Sequence, residues 1–233
     1  MEARRLTPEL LDALPPDAAE ARASRRDLWR LNALMRHRAE MIRWWWRHFP
    51  DGPPRRIAEL GAGDARLMAA VLRAAFPGGG ADGEVLLIDR QPCAEEATLE
   101  AMRAAGWRVR IVAADVFAWL ADAPECDAIT ANLFLHHFED AELARLLRLC
   151  AEKAVRFCSL EPARTAWSAL ACRTLRLIGC GAVTRHDARV SVEAGFRVGE
   201  LSALWPRDER WRLRERWLVP FGHAFEATRR PAA

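Results

Sequence analysis

The stretch Ile57-Ala58-Glu59-Leu60-Gly61-Ala62-Gly63-Asp64-Ala65-Arg66-Leu67 decides how this 233-residue chain folds. A short apolar run carrying one acidic residue gives way to two glycines spaced by one, and then to a helical pattern. Glycine has no Cβ, so a ligand can lie against bare backbone at such a turn. In doubly wound α/β proteins this break in the sheet is where nucleotides bind. The dinucleotide fingerprint wants a third glycine three residues after the second, and Arg66 stands there.

Strand and helix signals alternate downstream. Strands are expected at 56–60, 84–88, 107–113, 126–131 and 155–160, and helices at 65–76, 95–105, 116–121 and 140–151. The apolar runs are short enough for central parallel strands buried on both faces. Further on, 165–178 and 188–194 read as helical, and 196–204 and 217–228 as two strands joined by 205–216. Ahead of the sheet, Leu28, Leu31, Leu34, Met35, Met41, Ile42 and Trp45 recur at helical spacing, with Ser24 as N-cap. Pro50-Asp51-Gly52-Pro53-Pro54 stops that helix. The expected division is a helical cap over 1–52 and a main domain over 53–233, with an acceptor-side insertion at about 162–195.

Composition excludes several classes. Hydrophobic residues at 51% and charged residues at 29% suit a soluble globular protein. The net charge of +3, carried by 34 Arg and one Lys against 32 acids, is too small to point to nucleic acid. The six cysteines form no C-x-x-C pair and no zinc spacing, so buried thiols in a reducing cytoplasm are expected, with no metal. No apolar run approaches the length of a membrane span.

Glu59, Asp89, Asp115 and Asn132 all fall at the carboxyl ends of successive expected strands. In an open parallel sheet those ends border the ligand crevice. Any one of them could instead cap the helix that follows. Asp89 lies about 25 residues past the glycine turn, near the spacing of a ribose-binding acid, and a carboxylate can accept from two hydroxyls.

The E-x-G-x-G turn, the later D-A-I-T-A-N-L-F-L-H-H-F and L-E-P, and the A-G-F before the last strands resemble the class I S-adenosylmethionine-dependent methyltransferases, over about 55–229. The resemblance implies a Rossmann-like doubly wound α/β sheet of seven strands, mostly parallel with an antiparallel last strand. It also implies S-adenosylmethionine as methyl donor, with S-adenosylhomocysteine as product. Matched by position, Gly61, Ala62 and Gly63 would approach the cofactor and Asp89 with Arg90 its ribose. Asp115 with Val116 would meet the adenine, and Glu59 with Asn132 the methionine ammonium. The family usually has a third small residue in the turn, here Ala65. Asn132-Leu133-Phe134-Leu135 does not match the N-P-P-Y or D-P-P-Y of nucleic-acid amino-methyltransferases.

A hydroxyl acceptor must lose a proton, and histidine suits that work near neutral pH. His136, His137, His186 and His223 are the candidates for base or acceptor positioning, with His37 as a further histidine that could face the acceptor. Arg43-Trp44-Trp45-Trp46-Arg47 suits either a lid over the cleft or a membrane interface. The expected function is O-methylation of a small hydrophobic or aromatic acceptor in bacterial secondary metabolism, by a cytoplasmic enzyme. Peripheral membrane contact, an alkyl tail on the acceptor and a homodimer stay open. The rivals are C-methylation of a quinol-type ring, a protein or RNA substrate, and a non-catalytic cofactor-binding protein.

Overall fold

Seven strands form one sheet: β1 (Arg56–Leu60), β2 (Glu84–Asp89), β3 (Arg108–Ala113), β4 (Cys126–Asn132), β5 (Ala154–Pro162), β6 (Trp211–Leu218) and β7 (Gly222–Arg229). The computed structural model describes residues 3–231; residues 1, 2, 232 and 233, the outer ends of the two expected segments, lie outside it. The order is β3-β2-β1-β4-β5-β7-β6. β1 pairs in parallel with β2 on one side and β4 on the other. β7 runs antiparallel to both β5 and β6. The chain therefore builds outward from β1 through β3, then returns to start again at β4. Helices diverge at that reversal, leaving a crevice at the carboxyl ends of β1 and β4.

Local sequence explains most elements. In β1 and β4, Ile57, Ala58, Leu60, Ala128, Ile129 and Ala131 are wholly buried, as a central strand covered on both faces requires. The sheet's helices are α4 (Arg66–Ala75), α5 (Glu96–Ala104), α6 (Val116–Asp122) and α7 (Asp140–Lys153). The later segment carries α8 (Ala166–Cys172), a 3-10 turn (Leu175–Ile178), α9 (Ala182–Ala194) and α10 (Glu200–Leu204). All six cysteines are free; burial pushes the Cys126 thiol up to about 12.

Three expectations are corrected. The sixth strand is Trp211–Leu218, and 196–204 is a loop and short helix. Phe196 makes only a single bridge to Ala163, and Gly199 at φ 99° turns the chain into α10. The carboxylate of Glu215 on β6 then accepts from the Leu201 and Ser202 N–H groups, which satisfies the helix start. The N-terminal helix is also not continuous. It divides into α2 (Ala19–Leu34) and α3 (His37–His48) at Arg36, whose left-handed φ of 62° no helix interior allows. Ser24 is no cap, because α2 begins five residues earlier; its hydroxyl is buried against Thr184. A single turn, α1 (Leu10–Ala13), precedes these.

The third correction concerns the Arg-Trp segment. Trp44 and Trp45 are wholly buried on α3, packed with Met68 and Leu72 of α4 and with Leu87, Cys158 and Ala224 of the sheet. The segment is sheet core and does not face the crevice. Its polar side is tied down as well: Arg47 donates to Glu226 of β7 at 2.9 Å, and Glu40 pairs with Arg43 and with Arg216 of β6.

Truncating Trp45 to alanine removes a fully buried indole and is expected to cost about 3–5 kcal/mol of stability in urea denaturation. Trp46→Ala, at a position 55% exposed, is expected to cost under about 1 kcal/mol. Equal, small losses at both positions would contradict the assignment of Trp45 to the core.

Candidate active site

The glycine turn leaves β1 with its N–H groups directed to β2. Gly61 and Ala62 donate to the Ile88 carbonyl at 2.9 and 3.1 Å. Asp89, at the end of β2, accepts from Gly63 through Oδ2 at 2.8 Å and from Gln91 through Oδ1 at 2.7 Å. Each of its oxygens keeps lone-pair capacity for a ligand donor. Gly61 has φ 68°, and a Cβ there would lie 2.2 Å from the Phe134 ring. Gly63, at φ 51°, opens onto free space. Ala65 also adopts a left-handed φ of 56° and is 2% exposed, so the third small residue is tolerated at some strain where a larger one would collide.

The strand-end residues gather as the topology requires. Glu59, Gly61, Ala62, Gly63, Asp89 and Arg90 line one cavity of about 570 Å³, joined there by Asp115, Val116 and Asn132. Glu59 is buried and its Oε2 has no partner. Burial, with Asp64 and Asp89 nearby, pushes its carboxyl up to about 8. An unpartnered buried carboxyl beside two others suits a cationic group on a ligand. Asp115 caps α6 through Oδ1, accepting from Phe117 at 2.9 Å and Ala118 at 3.3 Å, while Oδ2 has no protein partner. Capping and lining the cavity thus coexist at this residue.

The Asn132 side chain points elsewhere. Its Oδ1 lies 2.8 Å from His37 Nδ1, and its Nδ2 donates to Asn32 of α2 at 3.0 Å. Burial depresses His37 to about 4, so it is the neutral donor to Asn132. His37 opens α3 and is wholly buried away from the cavity.

Of the four candidate histidines, the structure brings two to the cavity. His136 and His137 sit on a short 3-10 turn (Leu135–His137). His136 Nδ1 lies 2.7 Å from Glu161, at the end of β5, and Nε2 lies 3.2 Å from Glu9. Glu161 also accepts from the Phe134 and Leu135 N–H groups, fixing that turn on the strand end. Burial disfavours the charged imidazole, yet the two carboxylates outweigh it and raise His136 to about 9. Glu9 is pushed up by burial but pulled down further by His136, to about 2. His137, buried and beside a charged His136, is lowered. His186 pairs with Asp187 on α9, and His223 is buried against Glu215 of β6; neither lines the cavity. Their positions are corrected accordingly: α9 turns His186 outward, and β7 faces His223 into the packing around Phe196.

Glu9, His136 and His137 bring one ligand-type atom each within 4.8 Å of one another. Both ring nitrogens of His136 already have carboxylate partners there, Glu161 and Glu9. Glu161 extends the strand-end rule to the fifth strand, so the L-E-P signal could have identified it. Glu9, 127 residues from His136, leaves no local signal. On the far side, Leu28 of α2 and Met35 just after it join Cys172, Leu175 and Val192 as apolar lining, with Ser168, Thr184, Asp187 and Ser191 as polar lining.

Residues 57–154 match the methyltransferase domain family. No curated protein matches the sequence. Among solved structures, the plantazolicin methyltransferase in complex with a monoazolic desmethylPZN analog and SAH is similar at TM-score 0.63, with 13% identity over 91% of each chain. The magnesium protoporphyrin IX methyltransferase from Synechocystis PCC 6803 with bound SAH is similar at TM-score 0.56, with 12% identity over 84% of this chain and 83% of that one. An O-methyltransferase family protein from Burkholderia thailandensis is similar at TM-score 0.59, with 18% identity over 94% of this chain and 65% of that one. Residues 57–154 thus match the methyltransferase domain family, and the seven-stranded sheet around them has the fold of these solved methyltransferases.

Proposed function

We propose that the chain methylates a hydroxyl oxygen of a small hydrophobic or aromatic acceptor, in bacterial secondary metabolism. The observation that carries this reading is one cavity lined by the strand-end acids, by apolar side chains of α2 and the α8–α9 segment, and by His136, which Glu161 holds from behind. Apolar walls fit an apolar acceptor, and α1 with α2 serves as its cap.

When bound, S-adenosylmethionine supplies an electrophilic methyl group on a sulfonium. The chain's residues have to hold it, align the acceptor and remove a proton. In this proposal Asp89 accepts from the ribose hydroxyls, with Arg90 beside it and Gly61, Ala62 and Gly63 as the backbone floor. Asp115 and Val116 take the adenine, and Glu59 with the Asn132 backbone takes the ammonium. An acceptor hydroxyl that displaces Glu9 from His136 Nε2 meets an imidazole oriented by Glu161. Removing the Glu9 charge from that contact lowers the imidazole's pKa toward neutrality, where it works as a base. His137 lines the same cavity and positions the acceptor. His186 and His223, outside the cavity, take no part.

Asp89→Ala is expected to weaken S-adenosylhomocysteine binding about 100-fold or more by calorimetry, as charge-assisted bonds to the ribose are lost. Circular dichroism checks that the fold is kept, and unchanged affinity removes the ribose assignment.

His136→Ala, assayed on a panel of hydrophobic phenols, is expected to lower kcat by about 100-fold or more while cofactor affinity holds. NMR of the transferred methyl carbon distinguishes the oxygen-bound product from the ring-bound product of a C-methyltransferase. Full activity in the variant would dismiss the base.

The pH dependence carries a sign. The protonated imidazole cannot act as a base, so kcat/KM is expected to rise with pH toward the His136 value of about 9 in the free enzyme. Glu161→Gln removes the carboxylate on Nδ1 and should move that limb to lower pH. A limb that does not move in this variant rules out His136 as its origin.

A further inference from the structure

We propose that the outer face of α8 and the 3-10 turn after it docks on an anionic lipid bilayer, beside the entrance used by the acceptor. Trp167 is 67% exposed, Leu170 50%, Leu177 84% and Ile178 46%. Trp167 and Leu170 are one turn apart on α8, Leu177 and Ile178 follow on the 3-10 turn, and exposed Arg173 and Arg176 lie between them. A lone exposed leucine needs no explanation, but a group of large apolar side chains on one short segment does. Trp with Leu and Ile, flanked by arginine, is the composition of an element that lies in a membrane interface.

Charge identifies the occupant. Residues 165–186 contain three arginines, Arg173, Arg176 and Arg185, and no acidic residue, in a chain with 32 acids. Residues 28–39, which include the end of α2 and pack on the same turn through Leu31 and Met35, contain no acid and three more arginines, of which Arg30 pairs with Asp27. Among the described residues, neither Arg173 nor Arg176 has a carboxylate within salt-bridge reach. A second copy of this chain meeting the face through a twofold axis would set arginine against arginine. An anionic headgroup layer instead answers the arginines, while the apolar side chains enter the acyl boundary.

The same segment faces the cavity with its other side. Ser168, Cys172 and Leu175 line it while Trp167, Leu170 and Leu177 point outward. A bilayer against the outer face would place a membrane-dissolved acceptor at the cavity wall. The Arg-Trp segment of α3, the sequence's own membrane candidate, cannot serve, because Trp44 and Trp45 are in the core.

Only the route of acceptor entry rests on the function proposed above; docking is measured without any acceptor. The full chain is floated with phosphatidylglycerol/phosphatidylcholine vesicles and with phosphatidylcholine vesicles alone. Wild type is expected to partition onto the anionic vesicles and to release as salt is raised. Arg173→Glu with Arg176→Glu, and separately Leu177→Asp, should each lower partitioning by about tenfold or more. None of these residues lines the cavity, so S-adenosylhomocysteine affinity should be unchanged and reports that the variants are folded. Absence of wild-type binding, or binding indifferent to all three substitutions, would overturn the proposal. So would a wild-type dimer in size-exclusion chromatography that Leu177→Asp dissociates, since the face would then belong to a second copy. Loss of the methyl-transfer reading would appear in the product assays and leave the vesicle result standing.

Discussion

Parallel pairing of β1 with β2 on one side and β4 on the other is the constraint on which the rest of the structure depends. Each βα unit crosses over right-handed, so two directions of winding from neighbouring strands send their helices apart at the carboxyl ends. The opening is a product of topology and needs no dedicated residues to prop it apart. What the residues supply is its chemistry. Asp89 ties the glycine turn to the end of β2 through the Gly63 N–H, and Glu59 leaves one buried oxygen without a partner.

Electrostatics divides that cavity into two regions. Around Glu59, Asp64 and Asp89 acidic groups crowd together, Arg66 reaching only Asp64 of the three, and burial raises Glu59 to about 8. A positively charged ligand there would favour the ionised form of Glu59. Around His136 the balance is reversed: two carboxylates hold one imidazole, and Glu161, anchored by two backbone N–H groups, cannot move away from it. Glu9 is the removable partner, since it comes from the segment just before α1 and not from the sheet. Arg4 strengthens that segment's attachment by donating to the Phe138 carbonyl and pairing with Asp140. The Leu10 and Leu11 N–H groups are held by Asp187.

The α8–α9 segment shows how one stretch of chain can serve two surroundings. Its inward residues are small or apolar and complete the cavity wall, while its outward ones combine tryptophan, leucine and arginine. Small inward side chains leave room for an acceptor. A face apolar and cationic at once is unusual for a surface in contact only with water, because exposing that much hydrocarbon is unfavourable.

The sequence by itself determined the five parallel strands and the residues that end them at the cleft. Strand-end residues such as Glu59, Asp89 and Asp115 are legible because central strands are continuous apolar runs, and the residue that ends each run must stand at the crevice. Glu161 obeys the same rule. Legibility failed where tertiary contacts override local pattern. The Phe196–Leu204 alternation became a loop and helix because Glu215, from a distant strand, caps it. The Arg-Trp run of α3 looked amphipathic, yet α4 and the sheet bury Trp44 and Trp45 while Glu40 and Glu226 hold its arginines. Which histidine faces the cavity was likewise decided only in three dimensions. All four have a carboxylate close by in the folded chain, and nothing local distinguishes His136 from His223. The difference is that His136 lies beside the topological opening, whereas β7 carries His223 into the packing against β6.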